Sequence, residues 1–583
     1  MRLLSWAANP CLAVLLALII SGLGSEALAA IPLETSPAWT SIDDNYSTGG
    51  FWGDIDGDGW LDLAVGNGND MDFDPDNVFF NQEGMLEVTP SWVSSDLNCG
   101  AHIHLGDIDK DGGLDLAIGN LGYYLQGFPP LAEEVYFNQG TTFELLPSWQ
   151  TDDVNNTFGI ALGDPNGDGY LDFTAANGMG YTSTPQANDI YFNSGGILET
   201  SPSWTSDDID NSMDVAWGDI DNDGDLDLAV GNELTFDRVY YNNDGVVETS
   251  ASWSSTYNDD AIAIAWGDVD GDGYLDLAVA NNDQLGGSGY FTLYENQGGT
   301  LSSMPIWYSQ WAGYASYVSF ADVDNDEDFD LAAGGWWEPC RIYENVNGSL
   351  TTWPAWTSAT SSVIEAMVWG DVDNDGLVTV YEEAKYADGV MKVFYVDHWP
   401  FHELLDVTVG GTSLPITEFC YDPNSGWISL AAPPPVGYSV SFTYRYSEDL
   451  DLAVTNWDHY VGNYLFLNSP DYPEITVRFT TYEASVPRGG ELDYWAEVTN
   501  HTAQPQTFWG AAYLTLPNGN PYQGNPIVGP VQITLSSHES REVHMTHDVP
   551  PTTPLGTFTY TVKVGHPPNT LIDSDTFTFT TLP

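Results

Sequence analysis

A tryptophan followed fifteen residues later by an aspartate occurs seven times in this 583-residue chain, and a spacing that never drifts restricts the fold to equivalent units set side by side. The pairs are Trp39–Asp54, Trp92–Asp107, Trp149–Asp164, Trp204–Asp219, Trp253–Asp268, Trp307–Asp322 and Trp356–Asp371. Each aspartate opens a loop such as D-I-D-G-D-G-W-L-D-L-A-V, and an apolar-aromatic run then ends in Asn81, Asn138, Asn193, Asn242, Asn296, Asn345 or Asn468. Each of the first six asparagines lies eleven residues before the next tryptophan. Length therefore varies only between aspartate and asparagine, at 27, 31, 29, 23, 28, 23 and 97 residues.

Each unit reads as four short strands with Gly-rich turns, which predicts an all-β fold, a seven-bladed β-propeller. Asn468 has no following tryptophan, while Leu33 to Trp39 is a fourth strand without a unit. The two ends are expected to meet in the seventh blade, which leaves no exposed sheet edge. The separation of 97 marks a guest: the seventh loop starts at Asp371 to Gly376 and resumes as D-L-D-L-A-V at Asp449 to Val454. The expected division is a signal peptide at 1–29, blades at 30–376, a small β-rich insertion at 377–448 and completion of blade seven at 449–470. Residues 471–583, with alternating Thr, Val and aromatic positions over some seven strands, are expected to form an immunoglobulin-like β-sandwich.

In D-x-D-x-D-G-x-x-D, carboxylates at positions 1, 3, 5 and 9 converge with the carbonyl at 7, a hard-oxygen set that suits Ca²⁺ better than Mg²⁺. The loops offer Asp54, Asp56, Asp58, Trp60 and Asp62; Asp107, Asp109, Asp111, Gly113 and Asp115; and Asp164, Asn166, Asp168, Tyr170 and Asp172. Next come Asp219, Asp221, Asp223, Asp225 and Asp227; Asp268, Asp270, Asp272, Tyr274 and Asp276; and Asp322, Asp324, Asp326, Asp328 and Asp330, where Glu327 replaces the glycine. The seventh has Asp371, Asp373 and Asp375, completed either by Asp451 or, in EF-hand spacing, by the Leu377 carbonyl, Thr379 and Glu382. Six or seven Ca²⁺ ions clamping the hairpins are expected.

The repeated G-D-x-D-x-D-G-x-x-D-L-A-V unit resembles the FG-GAP and VCBS repeat family, which includes the propeller heads of integrin α subunits and secreted lectin-like proteins. The likeness spans roughly 31–376 and 449–470. It implies Ca²⁺ loops on the lower face of the ring and ligands on the upper one. The family's G-A-P triplet is replaced by Gly66-Asn67, Gly119-Asn120 and Gly231-Asn232, which leaves the fold implied and integrin-like ligand binding not. Residues 471–583 resemble the Ig-like modules of secreted bacterial proteins.

Segments of variable length gather on the face opposite the loops and carry Tyr123, Tyr124, Phe128, Tyr181, Phe236, Tyr290, Trp336, Trp337, Trp457, His459 and Tyr460. Either they form a rim that binds an extracellular glycan or protein, or they pack between blades. The repeated tryptophans are expected in the core. With 85 acidic against 11 basic residues, nucleic acid is excluded as a partner and cations are the natural counterpart. Arg2, the Cys11 to Ile20 run and Ala27-Leu28-Ala29 read as a secretory signal, and no later stretch is long and apolar enough to span a membrane. Secretion to an extracellular, cell-surface or periplasmic site is expected, with no disulfide from Cys99, Cys340 and Cys420. No G-x-S-x-G, H-E-x-x-H, phosphate loop or C-x-x-C is present. Pro400 lies between His398 and His402, and His102 and His104 alternate on one strand as packing residues. The resulting expectation is a non-enzymatic, calcium-binding adhesion or ligand-binding protein. The alternatives are a carbohydrate-active lyase or hydrolase using the upper face, or a structural surface-layer component.

Overall fold

The D-L-A-V segments are apolar on both faces, which suits strands covered from both sides. The computed structural model describes residues 31–69, 72–121, 131–179, 184–468, 475–482, 485–500, 505–522, 524–536, 540–566 and 570–582. It is all-β: the described residues include one short helical turn, Ile416–Glu418. Their strand pairs are antiparallel except for Ser485–Pro487 beside Thr570–Leu582.

One four-strand plan recurs. In the first sheet Ser47–Gly53 pairs Asp62–Asn67, which pairs Asn77–Phe79, which pairs Trp92–Val93. Five further sheets begin with the inner strands Gly100–Gly106, Thr157–Gly163, Asn211–Gly218, Ala261–Gly267 and Ala315–Ala321. A seventh, joined to the sixth where Trp336 and Glu338 pair Val363 and Ser362, runs from Ser362–Gly370 through Asp451–Asn456 and Tyr464–Phe466 to Trp39–Thr40, and Leu33 bridges Asn468. Each inner strand packs against the next, and Ser362–Gly370 packs against Ser47–Gly53. A Cβ on Gly370 would stand 2.9 Å from Cδ1 of Trp52, so only glycine lets the seventh and first sheets approach this closely.

Two side-chain series explain the invariant spacings. Six of the repeated tryptophans are buried, and each donates its indole N–H to a carbonyl of the following unit. Trp92 donates to Phe143 at 3.0 Å, Trp204 to Val247 at 3.1 Å, and Trp356 to Leu33 at 2.9 Å. Each asparagine stitches its own loop to the loop before it. The Asn242 side-chain amide donates to the carbonyls of Leu226 and Pro165 at 3.0 and 2.7 Å, while its backbone N–H donates to Asp227. Asn81 in the first unit reaches back to Val372 in the seventh. Because the Asn242→Ala substitution strands two carbonyls at a buried position, it is expected to cost about 3 kcal/mol, read by guanidinium unfolding at fixed calcium.

The insertion forms two small sheets. One contains Leu377–Tyr386, Ser439–Ser447, Phe401–Val409 and Thr412–Ser413; the other contains Val393–Tyr395, Trp427–Leu430 and Phe419–Asp422. Phe394, Phe401, Val407, Ile428, Phe442 and Tyr444 are buried in its core. The described residues of the C-terminal segment include eight strands, against some seven expected, in sheets of three and five around Tyr494, Phe558, Tyr560, Phe577 and Phe579. Cys99, Cys340 and Cys420 are buried thiols.

Candidate functional site

The loops close through their own carboxylates. Asp54 accepts the N–H groups of Asp58 and Gly59, both at 3.0 Å, Asp56 accepts that of Asp58, and Asp58 accepts that of Trp60. The first aspartate also accepts two N–H groups in the loops of Asp164, Asp219, Asp268 and Asp322. In every loop the fourth residue is left-handed: Gly57, Lys110, Gly167, Asn222, Gly271, Asn325 and Asn374, with φ from 55° to 76°. Tyr170, Asp225, Tyr274, Asp328 and Gly113, at position 7, each donate a backbone N–H to the fifth-position aspartate.

Glu327 takes φ 72° where the other loops use glycine and still donates to Asp322, so the sixth loop keeps its shape at the expense of backbone strain. Glu327→Gly is expected to stabilise the protein by about 1 kcal/mol in a denaturant titration.

The ninth-position aspartates bind the stitch and the loop together. Asp62 accepts the Ile55 and Asn81 N–H groups, and Asp115, Asp227, Asp276, Asp330 and Asp451 repeat this with their own partners. Pro165 lacks the N–H in the third loop, and the Asn166 side-chain amide replaces it on Asp172 at 3.0 Å. Oxygens of Asp54, Asp56 and Asp58 lie within 4.8 Å of one another, as do those of Asp107, Asp109 and Asp115; Asp219, Asp221 and Asp227; Asp268, Asp270 and Asp272; and Asp322, Asp324 and Asp326. Burial raises these carboxyls: Asp62, Asp219, Asp276 and Asp322 to about 7, and Asp115, Asp227 and Asp371 to about 8. Asp223 and Asp111 stand in the same turns. Both carboxylate oxygens of buried Asp107, and Oδ1 of Asn166, have no hydrogen-bond partner. Such donor sets fit a hard divalent cation.

In the seventh loop Asp451 takes the ninth-position bonds, to Val372 at 2.9 Å and Asn468 at 2.8 Å. Leu377 and Thr379 instead lie on the insertion's first strand opposite Ser447 and Arg445, and Glu382 is exposed further along it at a bulge. At about 3.3 Å per residue, that strand carries Glu382 roughly 15 Å from Leu377. Asp449, unmarked by sequence reasoning, is buried beside these acids; desolvation and then Asp375 push its carboxyl up to about 12.

The insertion covers the loop end of the sheets. Ser429 donates to Asp164 at 2.7 Å, Lys392 to the Gly167 carbonyl at 2.7 Å, and Lys110 to the Phe419 carbonyl at 2.7 Å. The Tyr395 hydroxyl accepts the Asp219 N–H, and Trp399 packs on Phe329. His402 is half-buried and desolvation lowers it to about 4, while His398 stacks on Tyr446. Inside the ring of strands His102 lies 3.2 Å from Asp214 and edge-on to Tyr317, and His104 lies 3.6 Å from Asp422 of the insertion.

At the other end a cavity of about 190 Å³ is lined by Trp336, Trp337, Trp457, Phe158, Gln284 and Glu365 among others. Trp336 is buried, Trp337 is 55% exposed, Tyr460 85% and Phe236 40%, while Trp457, His459 and Tyr290 are half-buried. Tyr46 packs against Trp457 and His459, so the aromatics divide between packing and exposure. Tyr123, Tyr124, Phe128 and Tyr181 lie outside the described residues.

The fold and loops define an all-β repeat protein whose units each present an acidic turn. The FG-GAP repeat family model matches residues 261–294, which span the inner strands and acidic loop of the fifth unit. A search of curated proteins finds no match. Among solved structures, the chain is similar to the CARDB domain of PF1109 from Pyrococcus furiosus in complex with di-metal ions, at 18% identity over 19% of this chain and 90% of that one. It is also similar to a β-glucosidase from Listeria innocua, at 15% identity over 19% of this chain and 16% of that one, and to the sporulation control protein Spo0M of Bacillus subtilis, at 12% identity over 19% and 50%. Their TM-scores are 0.15, 0.15 and 0.16. Among the described residues no helix is long and apolar enough to cross a membrane.

Proposed function

We propose that the seven sheets are the blades of a seven-bladed β-propeller carrying an inserted β module and an immunoglobulin-like C-terminal sandwich. The protein is proposed to act as a secreted, calcium-binding, non-enzymatic adhesion or ligand-binding module for an extracellular glycan or protein. The observation that carries this reading is the repeated unit of carboxylate loop, buried ninth-position aspartate and Asn stitch, closed from Asn81 onto Val372. The carboxylates gathered within 4.8 Å in these loops repel one another unless neutralised, and Ca²⁺ supplies charge and flexible oxygen coordination together. The ligand surface is the end bearing Trp336, Trp337 and Trp457, where aromatic faces offer stacking area without fixed positive charge. Elemental analysis of purified protein should find about six or seven calcium ions per chain. Glycan and extracellular-protein arrays should give binding that Trp337→Ala weakens at unchanged melting temperature. A calcium-free protein, or binding indifferent to Trp337, would overturn the respective half of the reading.

The carbohydrate-active alternative has one observation in its favour, the His102, Asp214 and Tyr317 cluster within the ring of strands. It requires turnover: new reducing ends or unsaturated sugars that disappear with His102→Ala.

A further inference from the structure

The seventh loop differs from the others because a 72-residue excursion, 377–448, leaves and re-enters the chain inside it. Its two roots are tied at the loop itself. Leu377 pairs with Ser447, the Glu448 N–H donates to the Gly376 carbonyl at 2.9 Å, and the Ser447 hydroxyl donates to Asp371 at 2.7 Å while accepting the Asp449 N–H at 2.9 Å.

Re-entry places Asp449 at position 7, where loops elsewhere offer a backbone carbonyl. Asp225 and Asp328 occupy the same position in the fourth and sixth loops but are only half-buried. Asp449 is 2% exposed and its carboxyl hydrogen-bonds to Asp375, with Asp371 and Asp451 close enough to repel it. Oδ1 of Asp449 and Oδ1 of Asp371 are buried without any hydrogen-bond partner, which is costly for acceptors unless something else is coordinated there. Three acids thus come from the outgoing root, Asp371, Asp373 and Asp375, and two from the returning one, Asp449 and Asp451.

We propose that the Asp449 side chain completes the seventh loop as a five-carboxylate site for a hard cation, Ca²⁺ or a trivalent lanthanide, and that the ion clasps both roots of the insertion to the ring. The inference rests on the calcium reading above and extends it to one site with a separate job. Five carboxylates with the seventh-position one buried favour a trivalent ion over a divalent one more strongly than the other loops, where that side chain is either not acidic or, at Asp225 and Asp328, half-exposed, since ligand charge count tunes affinity.

The test is Tb³⁺ luminescence titration of the full chain, wild type against Asp449→Asn and against Asp62→Asn, with limited proteolysis at the insertion's roots. The wild type should show one class of site filling first, at least tenfold tighter than the rest. Asp449→Asn should abolish that class and expose the roots to protease, while Asp62→Asn leaves both unchanged. The asparagine keeps the shape and removes repulsion, so the variant is expected to fold, and circular dichroism checks this. An Asp449→Asn protein with the wild-type tight class overturns the proposed site, and roots that resist protease after complete chelation overturn the clasp. A wild type that binds neither Tb³⁺ nor Ca²⁺ overturns the calcium reading itself.

Discussion

Removing calcium at pH 7.5 is expected to lower the melting temperature by on the order of 10–15 °C, and by much less at pH 5. An ion held only by the folded state stabilises it by about 2.7 kcal/mol per site at a hundredfold excess over its dissociation constant, and several sites add. The pH dependence follows from the ninth-position acids. Burial holds Asp62 and Asp276 at about 7 and Asp115 and Asp227 at about 8 in the ion-free fold, against the ordinary aspartate value of 3.8. Raised folded values mean that the stability of the ion-free protein is fully present below about pH 4 and is lost as pH rises through 7 to 8. Bound ions reverse this by keeping the carboxylates charged, and they leave when protons compete for the ligands. The gap between loaded and chelated protein should therefore widen from pH 5 to pH 8 in scanning calorimetry. A gap that is absent, or larger at pH 5, contradicts the assignment of the loops.

Deleting residues 31–41 is expected to be more damaging than any single substitution. Trp39 and Thr40 form the outer strand of the seventh sheet, Leu33 supplies the carbonyl that takes the Trp356 indole N–H, and Ile31 and Leu33 are buried with Trp356 and Phe466. Without them Tyr464–Phe466 becomes an edge with unpaired backbone groups, and such edges recruit other chains. The truncated protein should lose more than about 5 kcal/mol or aggregate, as seen by size-exclusion chromatography and guanidinium unfolding. A monomeric variant with a wild-type melt would show that the seventh sheet does not depend on its N-terminal strand.

The sequence makes the unit and its closure readable because tryptophan, aspartate and asparagine keep fixed offsets, and Leu33 to Trp39 was visible as a fourth strand without a unit. The reason for the asparagine was hidden: Asn193 reaches Ile108, 85 positions away, and no local pattern signals such a partner. Asp449 carried a signal, since D-L-D-L-A-V at 449–454 repeats 225–230 and aligns it with Asp225. What the pattern could not supply was its burial, which follows from the folded insertion. The docking of Ser429 and Lys392 onto the third loop is tertiary and leaves no mark in either segment. Trp336 and Trp337 are neighbours in sequence, yet one is buried and the other exposed, since successive side chains of the strand point to opposite faces.

The third loop has a further implication through Pro165. Replacing an aspartate with Asn166, to supply the donor that proline lacks, removes one negative charge, and two of the chain's four lysines stand nearby, Lys110 over Tyr170 and Lys392 on the Gly167 carbonyl. Burial raises the Asp168 carboxyl, and the Tyr170 N–H and the ammonium groups of Lys392 and Lys110 offset part of that rise. On the calcium reading proposed above, a loop with two ammonium groups beside its acids should depend least on the ion, and the contacts of Ser429 and Lys392 would keep the insertion seated there when its roots come undone.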